Sequence, residues 1–412
     1  MPTDSALGSD FKGLSMASHH MNQMDSVSSL PRAKPGSRGK VSVIGVGRLG
    51  LCWALNLERV GYDVVGVDIF PAYVDALNKK ILRSGEPRVE ELLRESKNFR
   101  ATLDIKEACD HSDCLYLLVQ TPSTGGSRHY DTQYIARVLK ELNKLKIQNK
   151  HIIIGCTVMP SYCEKIAKYL IKDLQNCTIS YNPEFICQGD IVNGQLYPDI
   201  VLIGEGSKEA GQMLEDHARH IALNEPTICR MSTTSAEIAK LSINCYVTTK
   251  ISYANMIGDI CDRTSGADKH AVLRAVGSDS RVGLKYLKPG FGYGGPCFPR
   301  DNRALAAHAE GVGVDAKVSK ATDEYNKYHT KLQTEEYLST GAKSYVFSDV
   351  AYKANCPVPI IEESQKLEIA RRIALAGREV TIVDKSFIMQ KVKEEHGNTF
   401  NYGDESALKR AS

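Results

Sequence analysis

Between Lys40 and Asp68 the chain reads KVSVIGVGRLGLCWALNLERVGYDVVGVD, a pattern that few folds accommodate. A short β-branched run meets three glycines spaced G-x-G-x-x-G: Gly45, Gly47 and Gly50. A helical stretch follows, then a second apolar run, YDVVGVD. Two apolar strands joined by one helix predict a β-α-β unit. The first glycine permits a tight turn. The second lets backbone approach a pyrophosphate, and the third lets helix pack on strand. The helix start, with Arg48 and Leu49, offers backbone N–H groups and a positive dipole end to phosphates. Asp68 stands 18 residues beyond Gly50, at the end of the second run. An acid there accepts ribose hydroxyls and repels a 2′-phosphate, so the cofactor expected is NAD.

Strand patterns recur at 114–120, 151–156 and 177–182, separated by helical patterns at 131–146 and 160–175. That alternation predicts an α/β fold with a parallel sheet covered on both faces. Residues 232–264 change character: apolar residues fall at helical spacing with no glycine until Gly258, which predicts one long helix. Strands return in SYVFSDVAY and EVTIVD, with a helix ending at Gly377 between them. The expected organisation is a disordered extension over 1–38 and an NAD-binding Rossmann domain over 39–230. A central helical dimerisation domain over 231–330 and a shortened C-terminal Rossmann-like domain over 331–412 complete it. The formal net charge of +3 over 412 residues is too balanced for a charge-driven nucleic-acid binder. No run of about 18 apolar residues suits a membrane span, and the N-terminus lacks a secretory pattern. Twelve cysteines without metal-like spacing read mostly as buried thiols in a reducing compartment, the cytoplasm.

One cysteine has a different setting. In PGFGYGGPCFPRDN, Cys297 follows four glycines and precedes a helical pattern in which Pro299 suits the first position. A thiol beside a helix N-terminus is acidified by the dipole, and the glycines let a substrate approach backbone. The alternative is a buried cysteine in a tight turn.

GFGYGGPCFPRD resembles the active-site loop of the UDP-glucose/GDP-mannose dehydrogenase family. The resemblance runs collinearly over about residues 40–385. It includes VQTPS (119–123), CTVMP (156–160), YNPEFICQGDIVNGQLYPDIVLIG, AEIAKLSINCYVTTKISYAN and SRVGLKYLKPG. Such enzymes oxidise the C6 alcohol of a nucleotide sugar to a carboxylate with two NAD and no metal. The resemblance implies that Cys297 holds the intermediate aldehyde as a thiohemiacetal and then as a thioester. Lys240 and Asn244, four apart on one helix face, would stabilise the oxyanion. Asp301 would orient the hydrolytic water, assisted by Glu184 and Thr157, although Thr157 could equally cap a helix. Thr121 and Pro122 match the motif near the nicotinamide. The nucleotide sugar would lie along Glu184, Phe185 and Ile186, with Gly294, Tyr286, Lys288 and Lys353 nearby. Arg281 matches an arginine that reaches the sugar from a neighbouring subunit, or is a surface loop arginine. The expected partners are a UDP-sugar and a second copy of the chain.

The pattern also departs from the family. Gln188 stands where an acid is usual, Met256 where an acid often follows Asn255, and Ser348 and Asp349 where a glycine is usual. Phe298 after the cysteine resembles the UDP-glucose branch, so UDP-glucose is the expected sugar. GDP-mannose or a UDP-N-acetylhexosamine is the alternative. Two rivals stand beside this reading. One is a two-electron hydroxyacid dehydrogenase, which needs no loop cysteine. The other is a binding protein without turnover, suggested by the short third domain.

Overall fold

The computed structural model describes residues 27, 30–123, 129–185 and 188–404. The chain forms two compact units that divide between Lys240 and Leu241.

The first unit is built on β1 (Lys40–Ile44), β2 (Asp63–Val67), β3 (Phe99–Thr102), β4 (Cys114–Leu117), β5 (His151–Ile154), β6 (Thr178–Tyr181), β7 (Ile200–Gly204) and β8 (Thr227–Met231). They form one sheet in the order β3-β2-β1-β4-β5-β6-β7-β8. All pairs are parallel except β6 with β7. Alternate residues enter different cores: Val41, Val43, Tyr116 and Ile153 pack on one face, and Ile44, Leu115, Leu117, Ile152 and Ile154 on the other. Burial on both faces explains why these strands read as continuous apolar runs. Among the longer helices, α1 (Arg48–Arg59), α2 (Gln133–Leu145) and α3 (Lys208–Ile221) belong to this unit. The helical pattern over 160–175 proves shorter, a π-turn at Cys163–Ala167 running into Lys168–Leu170.

The N-terminal expectation needs correction from residue 30 onward. Leu30 is buried in the core beside α1, and Arg32 pairs with Glu58 at 3.1 Å and with Glu95 at 3.2 Å. Arg59 donates to the Pro31 carbonyl. Residues 30–38 are thus strapped to the first β-α-β unit; of the remainder of 1–38, only Val27, also in the core, is described.

A long helix, α4 (Thr233–Asp262), runs through the division between units. Its N-terminus is capped by Ser232, whose hydroxyl accepts the Ser235 N–H at 3.2 Å. The second unit contains the rest of α4 with α5 (Lys269–Ser278), α6 (Phe298–Gly311) and α7 (Lys317–Ser339). Then come β9 (Ser344–Ser348), α8 (Gln365–Leu375), β10 (Glu379–Val383), α9 (Ser386–His396) and β11 (Asn401–Tyr402). The last three strands form a parallel sheet, β11-β10-β9, over a core of its own that includes Phe347, Ile369, Ile373, Ile382, Ile388 and Phe400.

Candidate active site

In the first unit, strand order reverses between β1 and β4, and ligands of open α/β sheets bind at the carboxyl ends of strands near such a point. The expected residues stand there. Gly45 follows β1, Asp68 follows β2, Thr121 and Pro122 follow β4, Thr157 follows β5, and Glu184 follows β6.

The three glycines have distinct roles. Gly45 has φ +95°, and a Cβ on it would sit 2.7 Å from the Leu118 carbonyl oxygen. A Cβ on Gly50 would lie 2.0 Å from the Gly45 oxygen. Gly47 caps α1, and a Cβ there would meet nothing within 4 Å. Two glycines are therefore required by the protein's own packing, while the third opens onto space. That cradle, with the α1 N–H groups behind it and Asp68 beyond β2, fits a dinucleotide pyrophosphate and its ribose. The exposed Arg48 donates to the Gln188 side chain.

The end of α4 that belongs to this unit carries Lys240, which is 7% exposed. Its ammonium donates to the Glu184 carbonyl at 2.6 Å and lies 4.2 Å from the Phe185 ring centroid. Burial pushes the half-buried Glu184 carboxyl up to about 7, against the opposing pull of Lys240. A carboxyl poised near neutrality suits proton exchange with water. Thr157 caps no helix: the next helical segment starts at Cys163, after Tyr162. Ile186 lies outside the described residues.

In the second unit, Cys297 is the N-cap of α6, with Pro299 one position further in than expected. Among the described cysteines it alone is exposed. Elsewhere in the chain, burial pushes the Cys156 and Cys245 thiols up to about 12. Asp301, one turn into α6 and 2% exposed, accepts from the Asn244 amide at 2.7 Å. Asn244 is thus brought to Asp301 on the helix that Cys297 caps.

The glycine loop before Cys297 is pressed from several sides. A Cβ on Gly294 would lie 2.2 Å from the Glu363 carbonyl oxygen, and one on Gly295, at φ +83°, 2.4 Å from the Tyr352 ring. Through Tyr352 the segment after β9 meets the loop, and the Lys353 ammonium lies 5.6 Å from that ring. Tyr286, in the left-handed region at φ +62°, sets its ring edge-on to Phe298 at 6.5 Å. Lys288 and Arg281 are exposed, and Arg281 pairs with Asp279 at 2.7 Å. Side chains that sequence reasoning did not single out for the loop hold it: Asn255 accepts the Gly290 N–H at 2.9 Å, and Asn326 clamps both backbone groups of Tyr293.

A Rossmann sheet with this cradle, followed by a thiol at a helix cap, defines a dinucleotide-dependent oxidoreductase. Residues 39–221 match the NAD binding domain, and 234–328 the central domain, of the UDP-glucose/GDP-mannose dehydrogenase family. These matches cover more than half of the chain, which belongs to that family and is a nucleotide-sugar dehydrogenase-type oxidoreductase carrying its NAD-binding domain. A UDP-glucose 6-dehydrogenase of Rickettsia bellii is 26% identical over 377 residues, 90% of this chain and 86% of the relative. A GDP-mannose 6-dehydrogenase of Pseudomonas aeruginosa is 27% identical over 377 residues, 88% of this chain and 84% of the relative. A solved UDP-glucose dehydrogenase from the hyperthermophilic archaeon Pyrobaculum islandicum superposes with TM-score 0.80 at 26% identity, covering 90% of this chain and 87% of that one. Among the described residues, no helix is long and apolar enough to cross a membrane.

Proposed function

We propose that this chain oxidises the C6 alcohol of UDP-glucose to the carboxylate of UDP-glucuronate, a four-electron oxidation. The observation that carries the reading is Cys297, an exposed thiol at the cap of α6 behind a tightly held glycine loop. NAD, held by Gly45, Gly47, Arg48, Leu49, Gly50, Asp68, Thr121, Pro122 and Thr157, supplies hydride acceptance twice per sugar.

The chain's own residues supply the rest. The Cys297 thiolate adds to the C6 aldehyde, so the aldehyde does not escape between the two oxidations. Lys240 and Asn244 donate to the oxygen that bears developing negative charge. Once C6 stands at the thioester level, Glu184 takes a proton from water, with Asp301 orienting that water. The water's oxygen bonds to C6, the C–S bond breaks, and the thiolate returns with the acid as product. Phe185, Ile186, Tyr286, Lys288, Gly294 and Lys353 bind the nucleotide sugar, and Phe298 favours UDP-glucose over GDP-mannose. A second copy docks on α4, where Tyr246, Tyr253 and Ile260 recur every seven residues at 66%, 45% and 52% exposure. Arg281 of that copy reaches the sugar.

The test follows NADH from purified protein with NAD and UDP-glucose. Two NADH per sugar are expected, and Cys297→Ser should lower turnover by at least about 10³-fold. One NADH per sugar marks the hydroxyacid-dehydrogenase chemistry. Absence of NADH with UDP-glucose, GDP-mannose and a UDP-N-acetylhexosamine overturns the enzyme reading in favour of a binding protein.

A further inference from the structure

Behind the catalytic loop lies a buried pair that the proposed chemistry does not use. His329 on α7 is 4% exposed and Asp259 on α4 is 9% exposed. The imidazole Nδ1 stands 2.9 Å from the Asp259 carboxylate, and Nε2 stands 2.7 Å from the Gly290 carbonyl oxygen. A backbone carbonyl only accepts, and so does an ionised carboxylate. A neutral imidazole has one N–H and can satisfy only one of them. Both contacts together require both nitrogens to donate. We infer that His329 is held as an imidazolium, and that this cation is a positioning residue: it fastens Gly290, the start of the loop that ends at Cys297.

The surroundings agree. Tyr325, on the same helix and stacked beside the imidazole at 6.5 Å, donates its hydroxyl to Asp259 at 2.6 Å. Burial raises the Asp259 carboxyl, but the hydrogen bonds from His329 and Tyr325 outweigh it and hold the group below its usual range. On α4, Arg263 donates to the Asp259 carbonyl at 3.1 Å and lies 3.6 Å from Glu336. From the loop side the imidazole meets the Gly290 carbonyl, to which Gln333 also donates at 3.2 Å. Among the described residues, the carboxylate in contact with the ring is Asp259, and it compensates the imidazolium charge. Loss of the proton from His329 Nε2 removes its bond to the Gly290 carbonyl, to which Gln333 still donates, while Asn255 still accepts the Gly290 N–H.

This inference takes from the proposed function only that Cys297 is the reactive thiol, and its test needs neither NAD nor sugar. Spectra of the full chain labelled with ¹⁵N-histidine should show, near neutral pH, one imidazole with both ring nitrogens protonated, absent from His329→Gln. Alkylation of Cys297 by iodoacetamide, followed against pH, should depart from a single thiol titration as that imidazole loses its proton. His329→Gln should follow a single titration throughout, and Asp259→Asn should move the departure to lower pH. Where the enzyme turns over, kcat of His329→Gln should fall by about 10- to 100-fold with KM for NAD unchanged. A singly protonated His329 at neutral pH overturns the inference. So does a wild type that alkylates like His329→Gln at every pH. If the variants do not fold, the wild-type spectrum alone decides.

Discussion

The chain contains two glycine-rich loops, each before a helix, and they are held by opposite means. At 45–50 the constraint is backbone against backbone: Gly45 faces the Leu118 carbonyl and Gly50 faces Gly45 itself. At 290–295 side chains also hold the loop: Asn255, Asn326, His329 and Gln333 bond its backbone. The first loop therefore depends on the β-α-β unit and the adjoining end of β4. The second depends on two helices that must pack correctly before Cys297 has a defined place. A preformed cradle suits a cofactor whose phosphates are recognised by backbone alone. A side-chain-held loop allows the thiol's position to respond to mutation and, through His329, to pH.

The sharpest break in that comparison is Asn326→Ala. It strands the buried N–H and carbonyl of Tyr293, which Asn326 bonds at 3.0 and 2.9 Å. Each stranded group costs about 1–3 kcal/mol, so unfolding by denaturant should show a loss of about 2–6 kcal/mol. NADH production should fall further than stability alone explains. Retention of both would mean that the loop holds itself, as the first one does.

The first loop is tested by two alanines that should behave differently. Gly50→Ala drives a Cβ toward the Gly45 oxygen, a clash worth about 1–3 kcal/mol in overpacking. It should lower both melting temperature and NAD affinity. Gly47→Ala has open space and ordinary φ, so melting should stay within about 2 °C. NAD affinity should nevertheless fall about tenfold, about 1.4 kcal/mol, because the Cβ occupies the pyrophosphate's place. Equal NAD affinity in Gly47→Ala and wild type by fluorescence titration would separate this glycine from the cofactor.

This difference also explains how much was legible in the residues alone. The first loop, the long α4 and the cap at Cys297 were readable because local spacing sets them. Strands β3, β7 and β8 were not read as strands. FRAT and TICRM each put an arginine in a run of four or five residues, too short for a period to declare itself. The clamp on the second loop was equally hidden. Asn255, His329 and Gly290 are distant in the chain, and nothing in their local patterns says that helices α4 and α7 converge on one loop. The same holds for the short β11, whose two residues gain meaning only beside β10.

A pH experiment separates the two halves of the chemistry. Folding favours the protonated form of Glu184, because its carboxyl is raised to about 7 from the ordinary range. Its cost to stability therefore grows as pH rises from about 4.5 toward 7 and is constant above. Glu184→Gln should melt above wild type at pH 8, with the difference vanishing near pH 4.5. Release of product acid should lose its inflection near 7 in the same variant. An unchanged pH–rate profile would shift the base assignment from Glu184 to Asp301.

The smallest effect is expected at Gln188, where the resemblance in the sequence leads one to expect an acid. Gln188 bonds Arg48 at the entrance to α1 and stands four residues beyond Glu184 in sequence. Gln188→Glu replaces that contact with an ion pair to an exposed arginine, which is worth under about 1 kcal/mol. Melting should therefore barely move, and NAD affinity should change by less than about fivefold. If Glu184 suffices as base, the variant's pH–rate profile for NADH turnover will match that of wild type, inflection near 7 included. A marked rise in turnover would mean that the departure at this position limits hydrolysis, and that the chain runs on one carboxylate where two serve better.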